Sequence, residues 1–503
     1  MSKTKKSLWR GPLAGNMHPL AQAFLSSFAE DLALVDIDID VTEAHALALG
    51  KAGLFDKKGL ALVLKACEDA RRKVQPLVAK GGQGEFHDIH PLVEKMIIDG
   101  AGEEAGGRIH LGKSRNDQVA TDICIFARRG LLDILDEILS LVSELRRISS
   151  CEEGMAVVPA YTHVRPAQAT TWGHLLMGHA GAFQRDAQRL FWTRVRFNSS
   201  PLGACAVAGT SVPVDRALTA KLLGFAGVWE NSVDATSSRD VLVEALALLA
   251  ILQGNLSRLA ADIMMMAAPG ERVLNYPDEW ADTSSAMPQK KNPDPLELVR
   301  ARAAESAGLA AAGMGIIHGL TSGYNRDLQE LKPLLWNSMG LAGMSTAVVR
   351  NVVARVSVDR VGAREVLSRG YAAALDIAEW LTIRKGVPFR RAHHAVGLLV
   401  QKLSADGTRL EAADVADVSR VIAHAAGRPI AISGAEWRDA SDPAKGAARR
   451  TAAGGPGALA PMLAATEKWL NWIGPEVREY RRKDDEAARL LGAEVRKALG
   501  RRA

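Results

Sequence analysis

The sequence predicts a helical protein built around long, buried helices, and three observations carry that prediction. Alanine, leucine and valine dominate while aromatics are only 5%, which favours helices packed through small side chains. Amphipathic patterns run without interruption from Val119 to about Ile148 and from Trp172 to Arg196, at the spacing of one helix face. Val241 to Pro269 is apolar nearly all round at its centre, the pattern of a helix enclosed in a bundle. At 503 residues the chain is long enough for a large core and roughly two to four domains.

Residues 1–20 read as an irregular arm punctuated by Pro and Gly. Apolar residues then recur at helical spacing from Pro19 to Gly50, with a change near Val35 to Asp40, and Thr42 before Glu43 marks a helix start. Lys58 to Val78 reads as an amphipathic helix broken by the run Lys80 to Gly84. In Asp88-Ile89-His90 the plain reading is an N-cap aspartate with an incidental histidine. The chemical reading puts acid and imidazole on one strand face or one turn.

Gly112 to Gln118 is a polar loop feeding a helix that begins near Val119. Free N–H groups and the positive dipole end make such a junction an anion site, to which Ser114, Arg115 and Asn116 add donors. Composition equally allows an ordinary capped start. Tyr161 to Gln168 is not helical and sets Thr162 beside His163; a lone histidine is more often a satisfied core residue than a catalyst. Pro201 to Thr210 is a small-residue loop where backbones can approach closely.

Leu296 to His318 is another long helix. The longest apolar run, Gly/Ala-rich Ala307 to Leu320, overlaps it and reads as a tightly packed core helix, too short for a membrane span. The polar cluster Tyr324, Gln329 and Lys332 precedes a resumed helical pattern and, taken plainly, is a cap with a solvated face. Val353 to Gln401 carries two helices split by Gly386-Val387-Pro388. Between 403 and 460 only Val415 to Ala425 is clearly helical, and Trp469 to Arg502 closes the chain as a charged helix.

Net charge is +6 with a pI of about 9.1. No focused basic face with interleaved aromatics accompanies it, so nucleic-acid binding is not expected, while anionic substrates are. Cys67, Cys124, Cys151 and Cys205 form no C-x-x-C pair and read as reduced, buried small hydrophobes, which fits a cytoplasmic protein. No apolar leader segment precedes Leu8 to Pro12, so neither a signal peptide nor a membrane partner is expected.

The densest chemistry lies in Thr283 to Pro293. Its prolines and serines exclude a continuous helix, and it concentrates two serine hydroxyls, two ammoniums and two amides. Hydroxyls can move protons when activated, and lysine and asparagine can stabilise a carboxylate that gains charge. A generic loop of this composition would be solvated surface.

The order S-S-x-M-P-x-K-x-N here resembles the mobile loop of the fumarase/aspartase superfamily, and Pro288 to Asp294 resembles its argininosuccinate lyase branch. Asp88-Ile89-His90, Ser114 to Asp122, the Thr162-His163 frame and Tyr324 to Lys332 resemble further blocks of that branch, in its order.

The resemblance implies an all-α enzyme of three regions: 1–115, a central long-helix bundle 116–365 with its catalytic loop at 281–295, and 366–503. It also implies a twenty-helix core in a homotetramer, with each active site built from three chains. No metal or organic cofactor is implied; the partners are a small-molecule substrate and other copies of the chain. The implied activity is a reversible anti β-elimination that releases fumarate and an amine from an N-substituted aspartate.

In that reaction Ser284 would remove the proton beside a carboxylate, with Lys290 and Asn292 stabilising the dianion and Thr162, Ser114, Arg115 and Asn116 as further donors. His163, paired with Glu297, would serve the leaving amine. His90, Tyr324, Gln329 and Lys332 match positions that hold the substrate. An inactive structural relative, like the lens crystallins, is the alternative from another class; the complete Ser284, Lys290, Asn292 and His163 set argues against it.

Two departures bear on the amine. The branch carries S-x-S-x-D-x-x-L-x-x-x-D-I near its start, where a serine and an aspartate contact the amino-acid end of arginine. Set against a run ending at Asp36-Ile37, these positions fall on Leu25 and Ala29. Loss of an acid facing a buried ammonium costs about 2–5 kcal/mol. The T-H-L-Q-R-A-Q block has also become Thr162-His163-Val164-Arg165-Pro166-Ala167-Gln168. The expected amine is therefore a diamine, with ethylenediamine-N,N′-disuccinate as the first-choice substrate. Argininosuccinate comes second, with Glu30 or Asp31 replacing the lost acid.

Overall fold

The computed structural model describes residues 17–81 and 86–501; most of the expected N-terminal arm and Gly82 to Gly84 lie outside them. The described chain is all-α apart from four two-stranded ladders, as its composition and periodicities predict.

In the N-terminal part, helices α1 (Val35–Lys51), α2 (Lys57–Ala79) and α3 (Ile89–Ala101) pack together. The expected start at Thr42 is wrong. Thr42 is buried in the middle of α1, which follows directly from a short 3₁₀ turn at Leu32–Leu34.

The central bundle contains α4 (Arg115–Ser149), α5 (Trp172–Arg196), α6 (Asp240–Met266), α7 (Asp294–Ile317) and α8 (Leu331–Val353). Between α4 and α5 a hairpin forms from β1 (Val157–Thr162) and β2 (Arg165–Thr171). A second, minimal hairpin pairs β3 (Asp282–Thr283) with β4 (Lys291–Asn292). Helix α6 packs on α5, α7 and α8. Its Leu246, Leu249, Leu252, Leu256, Leu259 and Ile263 are fully buried, and each contributes about 1.5–3 kcal/mol by leaving water. It is also the one helix among the described residues long and apolar enough to cross a membrane, and its packing is that of a core helix.

Helix α4 begins four residues before the expected Val119, because Ser114 and Asp117 close a capping box. Asp117 also accepts the Gly203 and Cys205 N–H groups, each at 2.8 Å, and so ties the Pro201–Thr210 loop to the helix start. Gly203 has φ +89°, and a Cβ there would stand 2.7 Å from Arg216 Cγ; only glycine fits.

Helix α7 corrects a second expectation. Within one chain it is not a core helix: only Leu296, Val299, Ser306, Ala310 and Gly313 are buried, and Ala307, Gly308, Ala311, Ala312, Met314 and Gly315 are exposed.

The C-terminal part holds α9 (Arg360–Arg369), α10 (Ala374–Lys385), α11 (Phe389–Ala405), α12 (Val415–Ala426), α13 (Gly434–Ser441), α14 (Pro443–Arg449) and α15 (Leu459–Ala498). Val353 to Gln401 thus carries three helices rather than two. Between 403 and 460 the short α13 and α14 join α12, against the expectation of one helix there, and Ser433 and Glu436 form the capping box of α13. Helix α15 starts ten residues before Trp469 and returns to pack against α4.

Candidate active site

A cavity of about 460 Å³ opens where α3, the start of α4 and the turn before α8 converge. Its lining includes His90, Ser114, Arg115, Asn116, Tyr324, Gln329 and Lys332, so seven sequence-predicted residues from three distant stretches meet in one place. Each has a local reason for its position. Asp88 is the N-cap of α3 and accepts the His90 N–H at 3.2 Å, so the plain reading of that aspartate is right, and the cap delivers His90 to the pocket. Ser114 caps α4 and accepts the Asn116 N–H at 3.4 Å. Asn116 Nδ2 donates to Ala206 O at 2.9 Å. Gln329 lies in a 3₁₀ turn, Arg326–Glu330, that leads into α8, and Tyr324 stands two residues before it.

The pocket mixes cations with acids. Arg115, Arg326 and Lys332 line it beside Asp31, Asp88 and Glu94, and Lys113 is buried behind it with Nζ donating to Thr42 Oγ1 at 3.2 Å. His110 also lines it. Burial, then the charges of Lys113 and Arg115, lower its pKa to about 3, so it is neutral. Burial raises the Tyr324 hydroxyl above its ordinary range, which keeps it a donor. Asp117 is raised to about 6 by burial, against its backbone hydrogen bonds.

Ser27 and Asp31 also line the pocket and were missed as a pair. Ser27 Oγ donates to Asp31 Oδ2 at 2.7 Å, and Lys332 Nζ donates to Asp31 Oδ1; all three are buried. This overturns the placement of the serine and aspartate positions on Leu25 and Ala29. Leu25 ends a short helix and only its carbonyl takes part, accepting from Arg326, while Ala29 is exposed. A shift of two residues keeps every spacing and ends on Asp38-Ile39. The alternation Asp36, Asp38, Asp40 made the two registers look alike. Burial separates them, since Asp38 is buried and Asp36 is exposed.

The remaining predicted residues lie elsewhere in the chain. Thr162 and His163 form the exposed tip of the β1–β2 hairpin, which packs on α9 and α14. His163 and Val164 have φ of 52° and 59°, a strained left-handed pair for non-glycine residues. Ser284 and Lys290 sit on the loop between β3 and β4, Asn292 in β4, and Glu297 is exposed on the first turn of α7. None of these six lines the cavity.

Ser284 Oγ accepts the N–H groups of Met287 at 3.1 Å and Ala286 at 3.3 Å. Two N–H donors on one hydroxyl oxygen stabilise its ionised form. The ladder Asp282↔Asn292 and Thr283↔Lys291 closes the base of this loop, a feature the sequence did not reveal.

Two groups of side chains could each offer a cation three ligands: Asp31, Asp88 and His90, and Asp38, His90 and Asp122. In the first, Asp31 and Asp88 already hold Lys332 and Arg115.

The family described as Lyase matches residues 11–308, and the family described as Argininosuccinate lyase C-terminal matches residues 371–445. This chain belongs to the argininosuccinate lyase branch of the fumarase/aspartase superfamily. Among curated relatives of that branch, argininosuccinate lyase of Methanothrix thermoacetophila is 37% identical over 490 residues, covering 96% of this chain and 98% of its own. Argininosuccinate lyase of Methanothermobacter thermautotrophicus is 35% identical over 470 residues, covering 93% and 99%. The crystal structure of EDDS lyase in complex with formate superposes with a TM-score of 0.83 over 97% of each chain at 23% identity, a likeness of fold. As a member of the branch the chain is a carbon–nitrogen lyase that releases fumarate.

Proposed function

We propose that this lyase cleaves argininosuccinate to fumarate and arginine, and that it works as a homotetramer. The observation that carries the substrate is Ser27, Asp31 and Lys332 joined in the pocket. In the branch it resembles, that serine and aspartate contact the amino-acid end of arginine. A buried carboxylate beside Lys332 can accept an α-ammonium, and the lysine can turn to the α-carboxylate. The relatives named argininosuccinate lyase support the same reading. Ethylenediamine-N,N′-disuccinate loses its main argument with Leu25 and Ala29. It keeps one support, the altered hairpin tip at Val164, Arg165 and Pro166.

The arrangement of one chain supports the tetramer. The pocket, the Thr162-His163 tip and the Ser284 loop sit on separate elements, and α7 bares a face of small residues beside exposed Leu298 and Met314. Packing α7 helices from different copies would cover that face and bring the three groups together.

In the assembled site Ser284, activated by its two N–H donors and by Lys290, removes the proton beside the substrate carboxylate. Negative charge builds on that carboxylate, where Lys290, Asn292 and the Thr162, Ser114 and Asn116 donors stabilise it. The C–N bond then breaks, and His163 with Glu297 attends the leaving nitrogen. Tyr324, Gln329, His90 and Arg115 hold the substrate's acidic groups.

The test is fumarate consumption, followed by ultraviolet absorbance, with arginine or ethylenediamine as the added amine. Arginine-dependent loss of fumarate is the expected result. Consumption with ethylenediamine alone would assign the diamine substrate instead.

A further inference from the structure

At the pocket wall formed by His90 and behind it, five buried polar atoms have no hydrogen-bond partner among the described residues. They are Asp38 Oδ2, both Asp122 carboxylate oxygens, His90 Nε2 and Gln118 Oε1. They come from three elements: Asp38 from α1, His90 from the start of α3, Gln118 and Asp122 from adjacent turns of α4. Asp38 Oδ1 accepts from His90 Nδ1 at 3.0 Å and from Gln118 Nε2. Asp122 Oδ2 stands 3.6 Å from the same His90 nitrogen. Two ionised carboxylates sharing a dry site repel strongly, so one of them keeps a proton.

We propose that Asp122 holds that proton against ionised Asp38, and that Asp38 in turn holds His90 as an imidazolium whose Nε2–H serves the pocket as a fixed donor to a substrate carboxylate. The placement of substrate rests on the argininosuccinate reading of the pocket; the protonation states do not. Asp38 and Asp122 touch no substrate and act as positioning residues.

The surrounding charges favour this assignment. Lys113 is the nearby cation on the Asp38 and Asp122 side, Asp31 and Asp88 pair with Lys332 and Arg115 in the pocket, and His110 is neutral. Burial and then the Asp38 charge push Asp122 well above the carboxylate range. Burial would raise Asp38 too, but the charge and hydrogen bond of His90, with Lys113 and Gln118, outweigh it and lower the group. Burial opposes a charged His90, and Asp38, with Asp88 and Asp31 behind it, overrides that and raises it.

The same three side chains could ligate a cation. Asp38 Oδ1 is already occupied by two N–H donors, and Lys113 adds a positive charge. Both favour a proton over a metal ion.

Histidine-selective NMR of the full chain tests the proposal, with the His90 signal assigned by its loss in His90→Gln. The wild-type chain should show His90 as an imidazolium at neutral pH. Asp122→Asn, which mimics the protonated acid, should leave it so. Asp38→Asn should return His90 to the neutral form, lower kcat/KM by about a hundredfold and shift the pH profile. A neutral wild-type His90 would overturn the proposal, as would an Asp122→Asn chain that neutralises it, or a stoichiometric divalent metal removed by chelator. If Asp38→Asn does not fold, the wild-type and Asp122→Asn spectra decide. These signals need no substrate, so a failed argininosuccinate assay would leave them standing.

Discussion

Lys332 Nζ donates to Asp31 Oδ1 across 301 positions of sequence, and both side chains are buried. The contact joins the beginning of the chain to the turn that opens α8, and it puts an acid where an amino-acid ammonium would need one. A buried pair is weak evidence for stability, since both ions lose their water. Here its place in the pocket gives it a reason to exist.

Asp31→Asn separates the two roles. The amide keeps its shape beside Ser27 but leaves Lys332 buried and unpaired, a loss of about 3–5 kcal/mol. Urea unfolding should show that loss, and kcat/KM for argininosuccinate should fall by about a hundredfold or more, as expected when a charged partner is removed.

Ser284→Ala removes the proposed base. Turnover should fall by at least about a thousandfold, while the far-ultraviolet spectrum and melting temperature stay as they were, because the side chain is on a partly exposed loop. Near-normal turnover would remove Ser284 from its role.

The proposed sharing of sites between chains predicts complementation. Ser284→Ala and Lys332→Met chains should each be inactive alone. After mixing equal amounts through reversible dissociation, about a quarter of the sites would draw both residues from wild-type positions, and activity should return to roughly that share. No recovery in verified mixed tetramers would mean that both residues come from one chain.

Glu43 gives a pH dependence. Burial raises it to about 7, against the Arg71 guanidinium and with Asp40 and Glu68 adding to the rise. The folded chain therefore keeps a proton that the unfolded chain releases above about 4.5. Stability from this group is present below about pH 4.5 and is lost as pH rises through 7, by up to about 3 kcal/mol. The stability difference between wild type and Glu43→Gln should change with that sign across the window in chemical denaturation at several pH values.

The long helices were legible because their patterns are local. Trp172 to Arg196 matches the periodic stretch residue for residue, and α4, α6 and α7 differ only at their ends. Ends depend on caps, and the polar Ser114–Asp117 box looks like loop in the sequence. The pocket was legible in Ser114, Arg115, Asn116, Tyr324, Gln329 and Lys332 through their resemblance to a family. Asp31 enters the sequence reading only as a replacement for a lost acid because alternating acids around Asp38 hide the register, and burial, which separates Asp36 from Asp38, is set by α3 and α4 packing on α1. The bareness of α7 was invisible too. Gly and Ala at close spacing look the same whether the neighbour is the same chain or another copy.

The central claim is cleavage of argininosuccinate, and steady-state release of fumarate from it by the purified chain tests that most directly. The account predicts turnover that saturates with argininosuccinate and is lost in both Ser284→Ala and Asp31→Asn. No fumarate from argininosuccinate, with release from ethylenediamine-N,N′-disuccinate under the same conditions, would contradict it.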